Sequence, residues 1–137
     1  MRFTRSLEVR YRTDVLIAGG GPAGIAAGVM CARVQRALGG SALLLEQSGT
    51  FGGSSTLAGV PELMNFDDGR NFLAHGFGEE IYRALYGDCP MDRSWPTVRP
   101  HALKRLYDDL AASAGLRFLF CSRIVDVEVR GGRVPPH

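Results

Sequence analysis

The first regular pattern in the chain is a short unbroken apolar run, Val15-Leu16-Ile17-Ala18, which ends at Gly19. A run of that length closed by glycine predicts a buried strand. Pro22 then opens a helical pattern that reaches about Leu38, with Ala26, Ala27, Val29, Met30 and Val34 along it. Pro22 suits the first helical turn, and Gly39 suits the C-terminal end. After Gly39-Gly40 turns the chain, Ser41 to Leu45 predicts a second buried strand. Phe77 to Tyr86 predicts a short helix, with Ile81 and Leu85 on one face, Tyr82 beside them and Gly87 as its stop. From Pro100 the residues Leu103, Leu106, Tyr107 and Leu110 follow i, i+3, i+4, i+7 spacing. That spacing predicts a second strong helix, extended by Ala111 and Ala114 and ended by Gly115. Leu116 to Cys121 predicts a strand. Arg123 to Arg130 predicts another, its valines 125, 127 and 129 alternating with Asp126, Glu128 and Arg130. Gly131-Gly132 then reads as a hairpin turn. Its returning arm has only Arg133 and Val134 before Pro135, which cannot donate to a ladder.

Between these elements the pattern breaks down. Leu57 to Arg70 shows no period. Asp88 to Pro100, with prolines at 90, 96 and 100, reads as an extended connector in which Trp95 serves as a hydrophobic plug.

The first strand, its turn and its helix carry the most specific signal. Gly19-x-Gly21-x-x-Gly24 has the dinucleotide fingerprint spacing. Gly19 lets the chain turn sharply out of the strand. Gly21 lets a pyrophosphate approach the backbone, and Gly24 lets the helix pack close to the sheet. Free N–H groups and the positive end of the helix dipole make an anion site there. Gly28 extends the small face, and a close contact is the natural reason for a glycine that costs up to ~1 kcal/mol against alanine in a helix. Glu46 stands at the end of the second strand, about 20 residues beyond the glycines, where a carboxylate holds a ribose hydroxyl. Its negative charge disfavours a 2′-phosphate. The bland alternative is a tight strand-to-helix turn with a solvated Glu46.

Gln47 to Thr56 is rich in glycine and hydroxyl residues. It reads either as a flexible loop or as a second cradle, where backbone N–H groups and the hydroxyls of Ser54, Ser55 or Thr56 meet the ligand.

Composition bounds the rest. At 137 residues, 45% hydrophobic and 22% charged, the chain has the size and make-up of one ordinary globular domain. A net charge of +2 points to neither nucleic acid nor an acidic membrane surface. The arginines at 2, 5, 10 and 12 come without an apolar core of a secretory signal, and no apolar run approaches the ~20 residues of a membrane span. A cytoplasmic location is expected. Cys31, Cys89 and Cys121 form no CxxC and no zinc spacing, and no metal site is expected. Cys31 in a helix and Cys121 in a strand read as small hydrophobes, which leaves Cys89 as the one candidate reactive thiol. Asp108, Asp109, Lys104 and Arg105 fall on the polar side of their helix.

Taken together, Gly19 to Gly24, Glu46, Phe51-Gly52-Gly53-Ser54-Ser55-Thr56-Leu57-Ala58-Gly59-Val60, Gly69-Arg70, the Gly76-Phe77-Gly78-Glu79-Glu80 helix start, Pro100 to Gly115 and Arg123-Ile124-Val125-Asp126-Val127 resemble a known family. This is the N-terminal part of the FAD-dependent oxidoreductases with the glutathione-reductase-like flavin fold. The resemblance covers Thr13 to Val134. It implies an α/β fold, a Rossmann-like FAD-binding domain with a central parallel sheet plus a β-hairpin or meander, truncated at its C-terminus. Residues 1–12 would be a tail and 13–137 a partial FAD-binding domain, with 57–98 an irregular insertion holding one short helix.

The resemblance implies FAD as cofactor. Gly19, Gly21, Pro22, Ala23 and Gly24 would face its pyrophosphate, and Glu46 would hold the adenosine ribose. Gly53, Ser54, Ser55 and Thr56 would run along the phosphate and ribitol, and Ile124 would meet the adenine through its backbone. Gln47 departs from the family, which often has a basic residue there. The later Gly-Asp-type strand and the substrate domain are absent from this sequence.

The implied function is the FAD-binding part of a flavin-dependent oxidoreductase acting on a small-molecule substrate that the sequence does not identify. The missing C-terminal half or another subunit would be its partner, with no role for nucleic acid or membrane. The alternatives are a catalytically inactive nucleotide-binding fragment and an NAD-binding Rossmann domain. No catalytic residue is identified; His75 and His101 are candidates by residue type alone.

Overall fold

The computed structural model describes residues 8–60, 66, 68, 70–87, 97–129 and 131. Its elements run β1 (Val15–Ala18), α1 (Pro22–Leu38), β2 (Ala42–Leu45), a 3-10 turn (Gly53–Ser55), α2 (Phe77–Tyr86), α3 (Pro100–Ala114) and β3 (Arg117–Leu119). The strands form one parallel sheet in the order β1-β2-β3. Val15 lies opposite Ala42 and Ile17 opposite Leu44, and Leu44 in turn lies opposite Phe118. β2 is the middle strand, and Ala42, Leu43 and Leu44 are all buried. A parallel strand with a neighbour on each side needs such an uninterrupted apolar run.

One core joins sheet and helices. Ile17 and Leu44 meet Ile25, Val29 and Ala32 of α1, together with Leu103, Tyr107, Leu110, Ala111 and Ala114 of α3. The expected close contact at Gly28 is present: a Cβ there would stand 2.9 Å from methyls of both Leu44 and Leu116. Gly39 ends α1 in the left-handed region at φ 73°, and its N–H returns to the Gln35 carbonyl. α2 is joined to α1 by a bidentate ion pair, Arg33 to Glu80, with both N···O distances 2.8 Å. The rings of Phe66, Phe72 and Tyr82 pack beside α2 with centroids 5.2 to 5.9 Å apart.

Three expectations need correction. β1 is not buried throughout: Ile17 packs against α1 in the core, but Leu16, on the opposite face, is 47% exposed. β3 stops at Leu119, so Cys121 lies past the strand, exposed and in the left-handed region at φ 53°. It is therefore not a small hydrophobe of the sheet. Residues 123–129, whose alternation predicts a strand, have no ladder partner among the described residues. Val125, Val127 and Val129 are 90%, 57% and 60% exposed. An alternating pattern describes a chain ready to pair, but the strand forms only against a second strand or a packed face. Arg130, Gly132 and the returning arm lie outside the described residues, as do Cys89, Trp95 and Gly69.

Candidate functional site

The site is built where β1 runs into α1. Gly19 adopts φ 95°, which turns the chain out of the strand, and its N–H donates to the Leu45 carbonyl at 2.8 Å. Gly24 sits so close to this turn that a Cβ would overlap the Gly19 carbonyl. Gly21 is extended (φ −63°, ψ −177°) and its carbonyl accepts the Ile25 N–H at 2.9 Å. Nothing lies within 4 Å of the point where a Gly21 Cβ would stand. No side chain caps α1, and among the described residues no carbonyl takes the N–H groups of Gly21, Ala23 or Gly24. Pro22 and Ala23 are exposed on the rim. The result is open space over Gly21 beside backbone donors at the positive end of a 17-residue helix.

Glu46 closes one side. Its carboxylate is buried, with Oε2 accepting the Gly20 N–H and Oε1 the Ser48 N–H, each at 2.6 Å. Burial pushes its pKa up, but the hydrogen bonds from Ser48, Gly20 and Gln47 outweigh it, and the carboxyl titrates below the ordinary value. Each oxygen has lone-pair capacity beyond its one short bond, so the group can still accept from hydroxyls.

Sequence reasoning missed the role of Gly20, because the fingerprint leaves that position open. A Cβ at Gly20 would stand 2.9 Å from the Phe51 ring and 3.1 Å from Glu46 Oε2. Phe51 itself is fully buried, edge-on to Phe118 and Phe120 at centroid distances of 4.9 and 4.7 Å. Only the apolar character of Phe51 was visible in the sequence.

The Gln47–Thr56 segment is folded against the phosphate turn. The Gly52 N–H donates to the Gly20 carbonyl at 2.8 Å, and a Cβ on Gly53 would stand 3.2 Å from Gly21 Cα. The hydroxyls of Ser55 and Thr56 are buried and turned inward, donating to the carbonyls of Gly52 (2.8 Å) and Phe51 (2.6 Å). These two side chains fasten the loop, while Ser54 is exposed. Among the described residues no carbonyl takes the N–H groups of Gly53 and Ser54. Tyr107 is 2% exposed, and burial pushes its phenol pKa up, an effect that the Ser55 side chain opposes.

The segment after β3 runs beside Glu46: the Ser122 N–H donates to the Glu46 carbonyl at 2.9 Å and the Cys121 N–H to the Ser48 carbonyl at 3.0 Å. Ile124, half-buried, follows two residues later. The structure thus brings Gly19, Gly21, Ala23, Gly24, Glu46 and Gly53 to one locus and sets Ile124 just beyond it. His75 is drawn elsewhere, to Glu79 at 3.2 Å on α2, and His101 is exposed on α3. Among the described residues no His, Cys, Asp and Glu cluster could hold a metal ion, and no helix is long and apolar enough to cross a membrane.

No curated protein matches the chain. The solved structure of Thermovibrio ammonificans THI4 is similar with a TM-score of 0.51 at 22% identity, over 79% of this chain and 37% of that one. At that identity the likeness bears on the fold, and this chain spans well under half of the length of that relative. The family model described as FAD dependent oxidoreductase matches residues 14–135, from the aspartate before β1 to the end of the chain's patterned region. FAD is that family's cofactor, and the Rossmann-like parallel sheet, the glycine turn and the buried Glu46 accord with it. The chain belongs to the FAD-dependent oxidoreductase family.

Proposed function

We propose that this chain forms the adenosine-diphosphate side of the FAD site in a flavin-dependent oxidoreductase. The observation that carries the reading is the open space over Gly21 at the start of α1. Among the described residues no carbonyl takes the N–H groups of Gly21, Ala23 or Gly24 beside that space, and Gly53 closes in from the second loop. A pyrophosphate fits that chemistry, because dispersed negative charge is held by backbone donors that need no side chain. Glu46, ionised and fixed by Gly20 and Ser48, fits a ribose diol. Ile124 then stands on the adenine side. Gly53 and Ser54 offer further backbone donors, and the Ser55 and Thr56 hydroxyls hold that loop in shape.

When bound, FAD supplies the hydride and electron transfer; the residues of this chain bind and orient its nucleotide half. The chain spans 37% of THI4, and we place substrate choice and catalytic side chains in polypeptide beyond the residues described, either further along the same protein or in another subunit.

The test is a titration of the purified 137-residue chain with FAD and with ADP, set beside Gly21→Val. Gly21 has an ordinary extended backbone and open space around it, so valine fits the fold while filling the cradle. Binding by the wild type and its loss in a Gly21→Val protein of unchanged thermal stability is the expected outcome. Equal affinity in both proteins would remove the pyrophosphate from this turn.

A further inference from the structure

Thr56 is buried beside the fully buried Phe51. Valine has the shape of threonine and would fill the same space, yet the residue carries a hydroxyl into the interior. That hydroxyl donates to the Phe51 carbonyl at 2.6 Å, and a longer bond reaches the same carbonyl from Thr50 Oγ1 at 3.4 Å. The Thr56 side chain also lies against Gly52, which adopts φ 100° and where a Cβ would overlap it. In a trans peptide the C=O and the N–H point in opposite directions. Holding the Phe51 carbonyl therefore sets the direction of the Gly52 N–H, which donates to the Gly20 carbonyl at 2.8 Å. The same geometry holds one peptide further on. With the Gly20 carbonyl held by Gly52, the N–H of Gly21 is fixed on the other side of that plane, and among the described residues no carbonyl takes it. The Gly20 N–H is held in turn by Glu46 Oε2 at 2.6 Å. Two rigid peptide planes thus join the Thr56 hydroxyl to a backbone donor of the phosphate turn.

We propose that Thr56 is a positioning residue for the phosphate turn, aiming the Gly21 N–H through the Phe51–Gly52 and Gly20–Gly21 peptides. The proposal rests on the FAD reading above and adds a hydroxyl that is spent on the protein's own backbone rather than on the nucleotide. Without it the Phe51 carbonyl loses its short bond, the Phe51–Gly52 peptide can turn, and the Gly20 carbonyl is no longer fixed. Glu46 keeps its second anchor, the Ser48 N–H at 2.6 Å, so the ribose end is spared.

The test compares two ligands on two variants of the 137-residue chain. Thr56→Val keeps the branched shape and removes the hydroxyl; Thr56→Ser keeps the hydroxyl and removes a methyl. Affinities for ADP and for adenosine are measured by calorimetry. We expect Thr56→Val to weaken ADP about five-fold, the worth of one net hydrogen bond, with adenosine unchanged, and Thr56→Ser to bind ADP as the wild type does. In the ligand-free Thr56→Val protein the Gly21 amide signal should move and the Ser48 amide signal stay in place. An unchanged ADP affinity in Thr56→Val, equal weakening of ADP and adenosine, or a Thr56→Ser protein as weak as Thr56→Val overturns the positioning role. If Thr56→Val does not fold, amide exchange in the wild type decides: the Gly52 N–H should exchange far more slowly than that of Ser54, which no carbonyl takes among the described residues, and equal rates overturn the relay. A wild-type chain that binds neither ligand overturns the FAD reading itself, and this proposal with it.

Discussion

Alanine introduced at Gly24 and at Gly28 separates the two reasons for which α1 carries glycine. Both positions lie inside the helix, and both substitutions gain about 1 kcal/mol of helix propensity. They differ in what the new methyl meets. At Gly28 it meets the ends of two side chains, Leu44 and Leu116, each at 2.9 Å. Terminal methyls can yield by a few tenths of an ångström, although Leu44 is fully buried and Leu116 nearly so. Overpacking of this kind costs roughly 1–3 kcal/mol, so the net destabilisation at Gly28 is about 0–2 kcal/mol. At Gly24 the methyl overlaps the Gly19 carbonyl, which is backbone and part of the turn itself. The helix must then move off the strand, which disturbs the Gly19 N–H bond to Leu45 and the contacts of Ile25 and Val29 beneath it. We expect a net loss of about 2–4 kcal/mol there, a large part of the roughly 5–15 kcal/mol that holds a domain.

Urea unfolding followed by far-ultraviolet circular dichroism measures both variants; a fall in midpoint at constant slope reports stability alone. Gly28→Ala should also retain ADP binding, and Gly24→Ala should lose it. If the two variants lose equal stability, or Gly24→Ala is the milder, then helix-to-strand proximity is not what fixes glycine at position 24.

Two more perturbations probe the walls of the site. Phe51→Ala removes a fully buried ring held edge-on by Phe118 and Phe120; a loss of about 3–5 kcal/mol is expected in denaturant unfolding, and a loss under 1 kcal/mol would show that the ring is not packed as described. The Glu46 carboxyl titrates below its ordinary value in the folded chain, so in this pH range the unfolded chain binds the extra proton. Its contribution to stability is complete above the unfolded pKa of about 4.3 and is lost as pH falls through the lower folded value. Glu46→Gln should flatten that acid limb of a stability-versus-pH profile, and an unchanged limb would mean that the hydrogen bonds from Gly20 and Ser48 do not favour the ionised form.

Much of this molecule is legible in its residues, and the illegible parts share a cause. β1, α1, α2 and α3 follow from local pattern, because each is bounded by a proline, a glycine or both, and each helix buries a face that its own spacing defines, while the unbroken apolar run of β1 could not show that Leu16 would be left exposed. Gly24 and Gly28 could be assigned to close packing because glycine inside a helix is costly without such a reason. What local pattern cannot express is partnership. The valines of 123–129 announce a strand, but no neighbouring strand among the described residues completes it. The hydroxyls of Ser55 and Thr56 look available to a ligand until the loop folds and turns them onto its own carbonyls. Gly20 and Phe51 constrain one another across 31 positions of sequence. These are tertiary facts, carried by no period or motif.

The account turns on which backbone amides receive the nucleotide's phosphates. A two-dimensional 15N–1H spectrum of the chain, titrated with ADP, reads them individually. The largest shifts should fall on Gly21, Ala23, Gly24, Gly53 and Ser54, with a second group at Ser48 and Ile124 on the adenosine side. Shifts confined to other surfaces, or none at all up to millimolar ADP, would contradict the assignment of the β1–α1 turn as the phosphate site.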